Sequence, residues 1–206
     1  DLIVGNTLPP YLRDYPKSTP FNIFNLPKAE YKDDRRMLHF MHESWHDANN
    51  GGENFLLLNH GHGVFTEPNS KLIGLPETRW SLSIGSSDID GDGYTDLYIA
   101  NDFGHDDCYK NVGGKSFIRM QGNFHGELGL DTYKGMNSSL GDFDGNGQED
   151  IYVSNVHHSM QAEGSLLWLN FTKPMAAKFD LKERAAPMNM LNINRFGWGA
   201  ASIDIN

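Results

Sequence analysis

A chain of 206 residues is long enough for one sizeable core, and a formal charge of −10 argues against nucleic acid as a partner, which calls for a basic patch. No apolar run is long enough to span a membrane, and the single cysteine, Cys108, allows no internal disulfide. Frequent glycine and short apolar runs are the pattern of an all-β protein with many tight turns.

In chain order, Asp1-Leu-Ile-Val-Gly-Asn6 reads as a short strand. Residues 7–52 read as an insertion. It begins rich in proline and then turns helix-like from about Lys28 to Asp47, with Met37, Leu38, Met41 and Trp45 on one face and Asn49-Asn50-Gly51-Gly52 as a stop. Asn54 to Phe65 reads as strand, tight turn, strand, and Asp107 to Phe117 repeats that pattern. Ser165 to Asn170 gives its first half again.

Two nine-residue loops carry the chemistry. Asp88-Ile-Asp90-Gly-Asp92-Gly-Tyr94-Thr-Asp96 and Asp142-Phe-Asp144-Gly-Asn146-Gly-Gln148-Glu-Asp150 begin 54 positions apart, at residues 88 and 142. Each places oxygen side chains at positions 1, 3, 5 and 9, with glycine at 4 and 6. A hard cation such as Ca²⁺ takes six to eight oxygens, and alternate residues of a curled loop point three of them inward. Position 7, Tyr94 or Gln148, is expected to offer its backbone carbonyl, and the final Asp to close the shell. An EF-hand starts alike but closes with Glu at position 12 and enters a helix. Here position 12 is Ile99 or Val153, inside the strand-like runs Leu97-Tyr-Ile-Ala100 and Ile151-Tyr-Val-Ser154. The first loop has four acids at ligand positions and the second has three, so the second is expected to bind more weakly.

Asp1 matches position 9 of a loop, because Asp1 to Asn6 parallels Asp96 to Asn101 and Asp150 to Asn155. Phe196 to Asn206 matches the strand leading into each loop, with Asp204 and Asn206 at positions 1 and 3. The chain therefore reads as a fragment of about three units, each running strand A, calcium loop, strand B, connection, strand C, turn, strand D. The units are residues 1–67 with the insertion 7–52, 78–120 and 134–190, with the next starting at 196–206. Radial four-stranded sheets make a β-propeller, and an incomplete ring is expected to leave two blade faces uncovered.

The two loops, Gly135-Met136 before Gly141-Asp-Phe-Asp-Gly-Asn-Gly147, the run ending at Asp102, Ser154-Asn155 with His157 and His158, and Gly197-Trp-Gly199 resemble the FG-GAP/VCBS repeat family. The resemblance is to integrin α-type propellers and, more closely, to the cartilage-acidic-protein-like branch. It implies a propeller of usually seven blades, stapled by Ca²⁺ and extracellular, cell-surface or periplasmic. It also implies a binding or scaffold role toward a protein or glycan partner, as part of a larger chain or complex. Ser81 and Ser83 depart from the pattern where Gly197 and Gly199 stand.

An enzyme is the other class. His42-Glu43-Ser-Trp-His46 matches a zinc motif, but the extended motif fails at Asn49 and Gly52, and a merely polar helix face accounts for it. Some polysaccharide lyases resemble such propellers, yet no catalytic constellation is legible here. Trp80, Trp168 and Trp198 lie on expected strands and read as packing residues. Two sequons occur, at Asn137 and Asn170. Finally, His39, His42, His46, His105, His125, His157 and His158 fall in connections on the face opposite the calcium loops. They are read as a possible second metal or contact face, one that loses its partner as imidazoles protonate.

Overall fold

The computed structural model describes residues 1–7, 52–68, 74–75, 79–124, 126–131, 134–156, 164–191 and 197–203. Most of the insertion lies outside these residues. So do the helix expected at Lys28–Asp47, the motif His42-Glu43-x-x-His46, His39, His125, His157, His158, Asp204 and Asn206.

Eleven strands form three antiparallel sheets, and no helix occurs among the described residues. The first sheet holds β1 (Leu2–Val4), β2 (Phe55–Asn59) and β3 (Phe65–Thr66). The second holds β4 (Ser81–Ser87), β5 (Asp96–Asn101), β6 (Asp107–Val112) and β7 (Ser116–Met120). The third holds β8 (Gly135–Gly141), β9 (Asp150–Asn155), β10 (Leu166–Asn170) and β11 (Leu181–Glu183). The second and third are simple meanders in the order A, B, C, D, and the first is a meander of strands B, C and D. This is blade architecture, as the all-β propeller reading requires.

The apolar residues explain why the sheets lie face to face. Successive side chains of a strand point to opposite faces. Leu97 and Ile99 of β5 pack with Tyr109, Ile3 and Leu56 toward the first sheet. Tyr98 and Ala100 pack with Ile151, Val153 and Trp168 of the third. β5 is buried at all six positions, so its four central residues, Leu97-Tyr-Ile-Ala100, are apolar without alternation. Each large side chain so buried contributes about 1.5–3 kcal/mol.

Strand A of the second and third blades approaches its neighbours through small residues. An added Cβ at Gly135 would lie 2.9 Å from the Ala100 Cβ and 2.8 Å from an Asp106 carboxylate oxygen. At Gly85 it would lie 3.1 Å from Ser138 Oγ, and Ser83 Oγ bonds Ser138 Oγ at 3.1 Å. The departure Ser81 and Ser83 is therefore accommodated: Ser81 Oγ donates to Asn101 Oδ1 at 2.9 Å and accepts from Asn54 Nδ2 at 3.0 Å.

Trp168 packs as expected, fully buried in β10, with Nε1 donating to Tyr98 Oη at 3.0 Å. Trp80 precedes β4 and stacks edge-on with Phe103 at 5.0 Å. Trp198 corrects the expectation. Residues 197–203 join no sheet and Trp198 is 69 % exposed, because this segment touches β8 by hydrogen bonds from Asn137 and Ser139 to the Ala200 carbonyl instead of by strand pairing.

Candidate metal centre

Both loops curl in the same way. In the first, Asp88 at position 1 accepts from the Asp92 and Gly93 N–H groups at 3.0 and 2.8 Å. In the second, Asp142 accepts from Asn146 at 3.0 Å and from Gly145 and Gly147 at 2.8 Å. This fold of the loop needs left-handed backbone at positions 4 and 6, where Gly91, Gly93, Gly145 and Gly147 have φ of 67°, 89°, 74° and 85°. Position 5 caps position 7: Tyr94 N–H donates to Asp92 Oδ1 at 3.0 Å, and Gln148 N–H to Asn146 Oδ1 at 2.7 Å.

The curl gathers carboxylates. Asp88, Asp90 and Asp92 bring one oxygen each within 4.8 Å of one another, and so do Asp142, Asp144 and Asp150. Asp90 is 1 % exposed, and its Oδ1 has no hydrogen-bond partner. An all-oxygen set with an orphaned buried carboxylate oxygen fits a hard cation in the first loop. The second set is also all oxygen, with Asn146 alongside.

Position 9 has a second job that its place in the spacing does not reveal. Asp96 accepts from Ile89 N–H at 3.0 Å and Asn111 N–H at 2.7 Å. Asp150 accepts from Phe143 N–H and Asn170 N–H, both at 2.7 Å. Each thus ties position 2 of its loop to the end of strand C. Asp1 does the second half of this, accepting from Asn59 N–H at 2.9 Å. The three asparagines then bond the following turns through Oδ1, at Gly61, Gly114 and Thr172. Asp96 stands outside the first trio, whereas Asp150 belongs to the second. Burial pushes the Asp96 carboxyl up to about 6, against its two backbone hydrogen bonds. Burial likewise raises Asp150.

Residues 88–153 match the family model of the FG-GAP-like repeat. The match runs from the start of the first loop through the second loop into β9, so it covers both carboxylate trios. No curated protein matches the chain.

The FG-GAP-like region is bound to the third sheet beyond its end. Asn170 Nδ2 donates to the Ile89 carbonyl at 2.9 Å, and Met175 N–H to the Asp90 carbonyl at 2.8 Å. Ser87 Oγ donates to Glu149. The first loop therefore sits at the junction of two blades. Asn170 is itself 1 % exposed with its amide engaged, so that sequon is closed in the folded chain, and the Asn137 amide is also engaged, to Ser139 Oγ and the Ala200 carbonyl.

Lys110 is the residue that the spacing argument missed. Its ammonium bonds Asp90 and lies 2.9 Å from Asp92. Partial burial works against its charge, but the hydrogen bonds to Asp90 and Asp92 outweigh that and hold its pKa above the ordinary value. The Lys110 hydrogen bond in turn holds Asp92 below the usual carboxylate range. The signal was in the sequence: a lysine precedes the strand C asparagine where Leu58 and Leu169 stand in the other two blades. Counting it removes the basis for ranking the loops by acid number. Counted at the ligand positions, four carboxylates with one ammonium give the first loop the same formal charge as the three carboxylates of the second, Glu149 at position 8 left aside.

Of the histidine face, His105 alone falls among the described residues. It is half-buried, with Nδ1 bonded to the Asp131 carbonyl.

Proposed function

We propose that this chain is a calcium-stabilised β-propeller module that presents its loop surface to a protein or glycan partner outside the cytoplasm, at the cell surface or in the periplasm. The observation that carries the calcium half is the recurrence of one loop geometry with two carboxylate trios, each hydrogen-bonded to strand C of its own blade. The ligands are Asp88, Asp90, Asp92 and Asp96 with the Tyr94 carbonyl, and Asp142, Asp144, Asn146 and Asp150 with the Gln148 carbonyl. Calcium there offsets the repulsion of crowded acids and fixes the loops between blades. The FG-GAP-like repeat supports the module and partner half, since such repeats are often interaction modules in surface proteins; the cartilage-acidic-protein-like type is the nearer resemblance.

Thermal unfolding in millimolar calcium and in chelator tests this. A ligand that binds only the folded chain stabilises by about 2.7 kcal/mol at a hundred times its dissociation constant, which raises the midpoint by several degrees. Asp144→Ala should remove part of that gain. Identical midpoints in calcium and chelator would sink the reading.

A further inference from the structure

The ammonium of Lys110 stands among the oxygens that the first trio gathers, bonded to Asp90 and 2.9 Å from Asp92. Among the described residues, the second trio has no counterpart of Lys110. There Leu169 takes the place of Lys110, and the Asn146 amide donates to the Asn170 carbonyl at 3.0 Å. Asp90 still has one buried oxygen without a hydrogen-bond partner after Lys110 is counted, so the site retains capacity for a cation.

We propose that Lys110 is a built-in competitor for calcium in the first loop, so that the second loop holds its ion persistently while the first exchanges its ion against the lysine. This rests on the calcium reading above. A divalent ion bound by Asp90 and Asp92 repels an ammonium a few ångströms away, so the side chain withdraws as the ion enters. It has a place to go. Lys110 lines a cavity of about 840 Å³ between β7 and the segment leading into β11, and its Nζ is 5.9 Å from the centroid of the Phe179 ring, within range of a cation–π contact. Without the ion, the ammonium neutralises the acids in its stead, so the first loop keeps its shape with or without metal. Because Met175 and Asn170 hold this loop from the next blade, exchange there occurs at an inter-blade contact.

Calorimetric titration with calcium chloride tests this on the 206-residue chain. An Asp144→Ala background reports the first loop and an Asp88→Ala background the second. Lys110→Met should tighten calcium in the first background by about tenfold or more, the effect of removing one nearby like charge, and leave the second background unchanged. Lys110→Arg should keep the wild-type affinity. In chelator, Lys110→Met should unfold at a lower temperature than wild type, and calcium should close that gap. If Lys110→Met fails to fold by circular dichroism, Lys110→Gln carries the same expectations. Unchanged first-loop affinity with a normally titrating second loop overturns the role of Lys110 alone. Absence of calcium binding in both backgrounds, with the chain folded, overturns the calcium reading and this inference with it.

Discussion

Asp106 shows what one buried side chain asks of its surroundings. It is 1 % exposed, accepts from Asn101 N–H at 2.8 Å and from Tyr98 Oη–H at 2.7 Å, and faces Asp131, whose carboxylate accepts its N–H. Asp107 is the other acid beside it, itself paired with Arg79 and Arg119. Burial first, and the Asp131 charge second, raise its pKa well above the ordinary 3.8. A raised folded-state pKa means that folding takes up a proton. Its stabilising contribution is complete below about pH 3.8 and is lost as pH rises toward the folded value. The first blade has Asn54 at the corresponding place, accepting from Asn6 N–H at 2.9 Å. Asp106→Asn should therefore gain stability relative to wild type as pH rises from about 4.5 to 8. Urea unfolding of both chains across that range, with calcium held constant, reads the difference directly. A difference that does not change with pH would show that Asp106 is not protonated on folding.

Elements were largely legible because two periodicities agreed. Strands A and B of the second and third blades fall where the expected strands flank each loop, and strands C and D where Asp107 to Phe117 repeats Asn54 to Phe65. What sequence did not show was the register. β4–β5 and β8–β9 both shift, between Ser81 and Ser83 and between Gly135 and Asn137. The extra residues, Leu82 and Met136, are of similar size, yet Leu82 is exposed and Met136 buried. No local pattern distinguishes the two positions. The Lys110 contact escaped for a similar reason, since the residue lies in strand C, 18 positions from Asp92. Gly135 is where element and neighbour meet. Its Cβ position is closed by the Ala100 side chain and Asp106, whereas nothing lies within 4 Å of that position at Gly199. Gly135→Ala should cost about 1–3 kcal/mol by overpacking, and Gly199→Ala close to nothing. Chemical denaturation with equal losses for both would contradict the packing of strand A on the preceding blade.

Among the described residues, two interfaces join the three sheets. Between the first and second sheets the contact is aliphatic and aromatic, through Ile3, Leu56, Leu97, Ile99 and Tyr109, with a buried hydrogen bond from Asn54 to Ser81 beside it. Between the second and third, a polar chain is added: Trp168 donates to Tyr98, and Tyr98 to Asp106. The first loop lies on that second junction, with Ile89 in its apolar core and the Ile89 and Asp90 carbonyls bonded from the third blade. Carboxylate trio, core and blade contact therefore coincide in one place, and the role proposed for calcium stands or falls there. The most direct measurement is anomalous X-ray scattering from crystals grown in calcium. The account predicts one calcium peak among Asp88, Asp90 and Asp92 and another among Asp142, Asp144 and Asp150, with oxygens at about 2.3–2.6 Å. Both trios showing ordinary water or the Lys110 ammonium, with no anomalous signal at saturating calcium, would contradict it.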